Sequence, residues 1–99
     1  MKYTYYGQSC FAIETSSAKL LFDPFISHNP LAQAIDTTKI EADYILVSHG
    51  HGDHVADLVS LAKQTNATVI AMPEICDWIA KQGIEKAHGM NFGKYKFDF

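Results

Sequence analysis

The feature that most constrains the fold is an apolar run that leads into a histidine-rich segment and then into a helical pattern. Residues 44–47 are apolar, partly β-branched and aromatic, which is typical of a strand buried on both faces. Residues 49–54 carry three histidines and an aspartate, and apolar side chains then recur at helical spacing over residues 55–62. Residues 68–71 form another short apolar run. This order predicts a β-α-β unit with parallel strands and a right-handed crossover.

The first part of the chain has the pattern of an antiparallel meander. Residues 2–6, 10–13 and 19–22 are short strand-like segments separated by turn residues. Asp23 and the proline after it end the third strand, because proline restricts the residue before it and cannot donate to a ladder. Residues 25–41 are predicted as loop with one or two short helices.

A second helix and a last strand complete the predicted elements. Pro73 suits the first position of a helix that places Ile75, Trp78 and Ile79 on its core face. Residues 95–99 alternate aromatic and charged side chains, which predicts a strand with one apolar face. That face lacks an obvious partner in the sequence, so we expect the chain to be the truncated N-terminal part of a longer fold.

Length, charge and composition describe one small domain. The 99 residues are 47% hydrophobic and 19% charged, so residues 1–99 are treated as a single domain. The net charge is −3 and the basic residues are scattered, which gives no nucleic-acid footprint. Neither an apolar signal core nor a membrane-spanning run occurs, which favours the cytoplasm and no membrane partner. Cys10 and Cys76 stand in apolar patterns and are predicted to be buried, reduced thiols.

Candidate metal ligands are concentrated in the segment between the buried strand and the helix. His49, His51, Asp53 and His54 follow the strand, and the ends of strands are where α/β folds place their sites. The glycines between them allow sharp turns and remove side chains that would block an ion. Imidazole and carboxylate ligands suit Zn²⁺, with Mn²⁺ and Fe²⁺ as alternatives. A solvated histidine-rich turn is the competing interpretation, and the glycine spacing at a strand-to-helix junction argues against it.

The HxHxDH pattern resembles the signature of the metallo-β-lactamase superfamily, and the closer resemblance is to its UPF0173 metal-dependent hydrolases. The segments that carry the resemblance are Gly7–Phe11, Asp23–Phe25, Asp43–His54 and His88–Asn91. The resemblance implies an α/β (α+β) fold, the metallo-β-lactamase-like αββα sandwich, of which this chain would be the N-terminal half only. The sequence departs from the family at Gln8, where many relatives have histidine.

The same resemblance implies roles for the motif residues. His49 and His51 would bind the first of two divalent metal ions, and Asp53 and His54 the second. Asp53 would also orient the attacking water or accept its proton, as the catalytic residue. In relatives, a second half of the chain supplies another histidine to each metal and a bridging aspartate.

The number of ligands that two metal ions need also indicates that part of the metal site lies outside this chain, without reference to the family. A catalytic zinc keeps about three protein ligands and one open position, so two ions need more than the four ligands of the motif. His88, predicted in a loop, shapes a substrate pocket or approaches the site, and His28 is most simply a surface residue. Asp23 is either a turn residue or a carboxylate that fixes a metal-bound imidazole, and the family favours the latter.

These observations predict a metal-dependent hydrolase that uses a metal-activated water on a small-molecule ester, amide or phosphoester. The 99-residue chain alone is expected to be inactive or weakly active, and self-association would bury an exposed sheet face. Two alternatives stay open. One is a non-catalytic metal-binding or assembly fragment, and the other is a structural domain with a relic site.

Overall fold

The computed structural model describes residues 1–27, 29–30, 35–50 and 55–90. One six-stranded sheet and two helices make up most of this part of the chain. The elements are β1 (Lys2–Gly7), β2 (Cys10–Glu14), β3 (Lys19–Phe22), a 3₁₀ turn (Thr37–Lys39), β4 (Tyr44–Leu46), α1 (Leu58–Thr65), β5 (Thr68–Ala71), α2 (Pro73–Ala80) and β6 (Ala87–Gly89). The strands lie in the sheet in their chain order.

The sheet is antiparallel in its first half and parallel in its second. β1 pairs with β2 and β2 with β3 in antiparallel register, which confirms the predicted meander. β3, β4, β5 and β6 pair in parallel, so the predicted β-α-β unit is also confirmed. β3 is therefore the strand at which the sheet changes from one kind of pairing to the other.

The end of α1 and the beginning of α2 each coincide with a residue that favours a helix boundary. α1 ends at Asn66, which takes a left-handed conformation with φ +58° and returns its N–H to the Ala62 carbonyl. α2 begins with Pro73 at its first position, where the missing N–H costs nothing. Each helix has eight residues, so its stability comes from packing on the sheet rather than from its own length.

The core lies between the two helices and one face of the sheet. Leu21, Ile45 and Val69 form a row across β3, β4 and β5, and each is at most 1% exposed. Leu58 and Leu61 of α1, together with Ile75 and Ile79 of α2, belong to the same cluster of buried residues. Burial of this apolar surface is the main force that holds the helices on the sheet.

The opposite face of the sheet carries aromatic side chains that no described helix covers. Tyr3 and Tyr5 of β1 are each 61% exposed. Phe11 and Phe22 are cross-strand partners on this face, and their rings stack with centroids 4.4 Å apart. One layer of helices on one layer of sheet matches half of the predicted αββα sandwich.

Two sequence predictions about single residues are wrong. Trp78 is 44% exposed rather than in the core. Successive helical residues turn by about 100°, so a stripe centred on Ile75 and Ile79 leaves Trp78 at its edge. His88 lies on β6 rather than in a loop. β6 lacks β-branched residues, so it forms a strand because it pairs with β5 and not because of its own strand propensity.

Other predictions fall partly or wholly outside the described residues. The predicted strand over residues 95–99 and His28 are among them. Cys10 and Cys76 are both free thiols; Cys10 is buried as predicted, and Cys76 is partly buried. Within the described ranges, neither helix has the length and apolar character needed to cross a membrane.

Candidate functional site

The residues predicted to form a site follow the carboxyl ends of neighbouring strands. Asp23 comes directly after β3, and Ser48 and His49 come shortly after β4. The carboxyl ends of parallel strands meet at one edge of a sheet, so the topology brings these residues together. A cavity of about 580 Å³ opens at this edge. Its described lining residues are Phe22, Asp23, Leu46, Val47, Ser48, His49, Ile70, Ala71, Met72 and Met90.

Asp23 is held in an unusual backbone conformation that turns its side chain toward the next loop. Its φ is +44°, in the left-handed region that aspartate and asparagine tolerate better than most residues. Its N–H donates to the Leu46 carbonyl at 2.9 Å, which extends the pairing of β3 with β4 by one bond. The side chain is buried, with the residue 8% exposed. The carboxylate therefore requires hydrogen-bond partners.

Ser48 supplies two of these partners and links Asp23 to His49. The Ser48 N–H donates to Asp23 Oδ1 at 2.6 Å, and the Ser48 hydroxyl donates to Asp23 Oδ2 at 2.7 Å. His49 Nδ1 lies 2.9 Å from the same hydroxyl oxygen. Asp23, Ser48 and His49 thus form a continuous hydrogen-bonded chain, which we call the Asp-Ser-His chain.

The direction of the Asp-Ser-His chain selects the tautomer of His49. The Ser48 hydroxyl has one proton, and Asp23, an acceptor only when ionised, takes it. The Ser48 oxygen can then only accept from His49, so Nδ1 carries the imidazole proton. The lone pair of the neutral ring is left on Nε2, the arrangement of a metal-binding histidine held by an outer partner. His49 therefore fits the role of a metal ligand.

The remaining predicted ligands cannot be placed by the structure. His51, Asp53 and His54 lie outside the described residues. Within residues 1–27, 29–30, 35–50 and 55–90, no group of three or more histidine, cysteine, aspartate or glutamate side chains could hold an ion. The structure thus connects Asp23 to His49 through Ser48, and the assignment of all four metal ligands stays a prediction.

His88 lies on the same face of the sheet as the cavity. It pairs with Ile70, which pairs with Leu46. Cross-strand partners share a face, and both Leu46 and Ile70 line the cavity. His88 is partly buried, and its predicted role in a substrate pocket remains a prediction.

Sequence reasoning missed Ser48 and Asp57. Ser48 precedes the first histidine of the motif, and a hydroxyl at that position was the available signal. Asp57 directly precedes α1, at the position of a helix cap. Instead its side chain makes no cap bond and is turned to the loop after Asp23, with the residue 5% exposed.

A family model of the metallo-beta-lactamase superfamily matches residues 3–92. The chain belongs to the metallo-β-lactamase superfamily. It is 48% identical over 100 residues to a "UPF0173 metal-dependent hydrolase" of Flavobacterium johnsoniae, and the match covers 100% of this chain and 44% of that protein. A protein of the same description from Carboxydothermus hydrogenoformans is 47% identical over 98 residues, covering 98% of this chain and 42% of its own. The resemblance to UPF0173 proteins is thereby confirmed.

A solved structure also has a similar fold. Igni18, described as a novel metallo hydrolase from the hyperthermophilic archaeon Ignicoccus hospitalis KIN4/I, matches with a TM-score of 0.82 and 27% identity. The match covers 93% of this metallo-β-lactamase-type chain and 40% of the other. The chain thus spans less than half the length of the relatives it matches.

Proposed function

We propose that this superfamily chain supplies the first half of the metal site of a metal-dependent hydrolase. The observation that carries the proposal is the Asp-Ser-His chain, which assigns the imidazole proton to Nδ1 of His49, a residue that lines the cavity. The descriptions of the UPF0173 relatives as metal-dependent hydrolases support it. So does the description of Igni18 as a metallo hydrolase.

The motif residues would divide the binding of two divalent ions, most simply Zn²⁺. His49 and His51 hold the first ion, and Asp53 and His54 hold the second, as imidazole and carboxylate ligands suit zinc. Such ions would polarise a substrate oxygen and would lower the pKa of a bound water to about 7. Asp53 orients the attacking water and accepts its proton. Asp23 keeps His49 in its binding tautomer through Ser48.

The substrate of this reaction is a small molecule with an ester, amide or phosphoester bond. The cavity at the sheet edge combines apolar walls with the polar group of Ser48 and His49, which is the usual composition of a small-molecule site. The cavity offers Phe22, Leu46 and Ile70 to the apolar part of such a substrate.

We further propose that the 99 residues alone turn over little or no substrate. Four motif ligands are fewer than two catalytic zinc sites need. The apolar sheet face with Tyr3 and Tyr5 is exposed, so self-association would cover it. A cytoplasmic location stays a prediction from the sequence.

Metal content per chain tests the proposal. The wild-type chain, His51→Ala and His28→Ala are purified, exposed to zinc, dialysed and measured by elemental analysis. We expect bound zinc in the wild type, loss in His51→Ala, and retention in His28→Ala, the matched histidine outside the proposed ligand set. Equal zinc in all three proteins would contradict the proposal. Hydrolysis of a generic ester and a generic phosphodiester by the zinc-loaded chain then tests the expected lack of turnover.

A further inference from the structure

Asp57 makes an unusual number of bonds to a segment far from it in sequence. Its Oδ2 accepts from the N–H groups of Ile26 at 2.6 Å and Ser27 at 2.9 Å. Its Oδ1 accepts from the Ser27 hydroxyl. Its own N–H donates to the Pro24 carbonyl at 3.0 Å. One residue at the start of α1 therefore binds the loop that follows Asp23 through four hydrogen bonds.

The same loop segment also holds the other end of the histidine-rich region. Asp23, at the start of residues 23–27, binds the backbone and the hydroxyl of Ser48. Ser48 directly precedes the HxHxDH motif, and Asp57 lies three positions after its last residue. Both ends of residues 48–57 are thus fastened to residues 23–27, which we call the anchor segment.

This arrangement has a mechanical consequence for the candidate ligands. The Asp57 carbonyl accepts from the Leu61 N–H at 2.9 Å, in the first turn of α1, so Asp57 is itself fixed to a packed helix. The anchor segment is therefore tied to the body of the protein at Asp57, and Asp23 lies at its other end. Asp57 is thus connected through the anchor segment to the Asp23 carboxylate, and through Ser48 to His49.

We propose that Asp57 is a positioning residue that sets the orientation of His49, a proposed metal ligand, through the anchor segment. The inference rests on the proposed function, in which residues of the HxHxDH motif bind metal. Outer residues that orient ligands change metal affinity by about 10- to 100-fold when they are removed. Asp57 acts through two further hydrogen bonds and the backbone of the anchor segment, so the lower end of that range applies.

Four variants of the 99-residue chain separate positioning from simple stability. Asp57→Ala removes the three side-chain bonds. Asp57→Asn keeps them, because a carboxamide oxygen accepts from both N–H groups and its NH₂ donates to the Ser27 hydroxyl. Ser27→Ala removes only one bond and serves if Asp57→Ala does not fold. Asp43→Ala is the matched control, since Asp43 also accepts a backbone bond, from the Lys19 N–H at 2.7 Å, but at the far end of the strands.

Two measurements follow, one with zinc and one without. Zinc affinity is measured by competition with a chromophoric chelator, and we expect roughly a 10-fold loss in Asp57→Ala. Asp57→Asn and Asp43→Ala should stay near the wild type, and Ser27→Ala should lie between. Hydrogen exchange of the metal-free chain should accelerate at the Ser48 N–H in Asp57→Ala and, more weakly, in Ser27→Ala, but not in Asp43→Ala.

The outcomes keep this inference distinct from the proposed function. A wild-type chain that binds no zinc overturns the proposed function and leaves exchange at Ser48 to decide the inference. Faster exchange at Ile26 and Ser27 with no change at Ser48 would overturn the inference, because Asp57 would then hold only its immediate partners. Unchanged zinc affinity in a folded Asp57→Ala would overturn it as well.

Discussion

Asp23→Asn should reverse the hydrogen bonds of the Asp-Ser-His chain and place the His49 proton on the wrong nitrogen. The Ser48 N–H still needs an acceptor, so the carboxamide oxygen takes the place of Oδ1. The NH₂ group then faces the Ser48 hydroxyl and donates to it. The hydroxyl can now donate only to His49 Nδ1, which must carry a lone pair, so the proton moves to Nε2.

The size of the effect follows from the bonds that must be given up. For the variant to bind a metal through Nε2, Nδ1 must keep its proton. The Ser48 oxygen then accepts from both neighbours with its two lone pairs, and the bond that its own proton made is lost. One intramolecular hydrogen bond contributes about 1 kcal/mol net, which corresponds to roughly a 5-fold loss of zinc affinity.

The fold should survive the substitution. Asparagine tolerates the left-handed conformation at φ +44° at least as well as aspartate does. Asp43→Asn is the control, because it changes a backbone-bonded carboxylate at the opposite edge of the sheet. Both proteins should show the circular dichroism spectrum of the wild type.

Nitrogen NMR of the His49 ring tests the reasoning directly. Spectra of the metal-free chain in alkaline buffer, where imidazole rings are neutral, report which ring nitrogen carries the proton. We expect Nδ1–H in the wild type and in Asp43→Asn, and Nε2–H in Asp23→Asn. An Nε2–H tautomer in the wild type would refute the assigned direction of the chain, whatever the zinc affinity of the variant.

Three further predictions concern stability. Burial raises the pKa of the Cys10 thiol to about 11, so the folded state holds that proton more tightly than the unfolded state. The free energy of unfolding should therefore fall by roughly 2–3 kcal/mol as the pH rises from about 9 to 11, and urea titrations of Cys10→Ala should lack that part of the loss. Gly7→Ala should lower the stability of the fold by at least about 1 kcal/mol, because φ is +111° at this position and an added Cβ would lie 2.6 Å from Asn29 Nδ2. Thermal melts measure this change, and a gain in stability would contradict the prediction. Ile79→Ala should cost about 2–5 kcal/mol and Trp78→Ala clearly less, since Ile79 is fully buried and Trp78 is 44% exposed; equal losses would be inconsistent with the structure.

The elements that sequence reasoning predicted are those whose pattern is local. β3 and β5 have the predicted bounds, and α2 begins at the predicted proline. In each, alternation, helical spacing or a boundary residue is visible within a few positions. β6 could not be predicted in the same way, because three residues without β-branched side chains become a strand only by pairing with β5.

In the candidate site, too, the local features could be predicted and those made by long-range bonds could not. The HxHxDH motif is local, and its position after β4 could be predicted from the sequence. The Asp-Ser-His chain and the anchor segment could not, because their bonds join residues 25 and 31 positions apart. A carboxylate that bonds across such distances looks in sequence like any turn or cap residue.

The position of β3 explains why one segment can hold both ends of the motif. β3 pairs with β4 in parallel, so the chain that leaves β3 at the cavity edge must return to the opposite edge before β4 begins. The return path starts with the anchor segment, which lies beside the point where the chain also leaves β4. In an antiparallel pairing the carboxyl ends of β3 and β4 would lie at opposite edges of the sheet, and Asp23 and Ser48 would be far apart. The parallel pairing of β3 with β4 is therefore the feature of the fold that places Asp23 against Ser48.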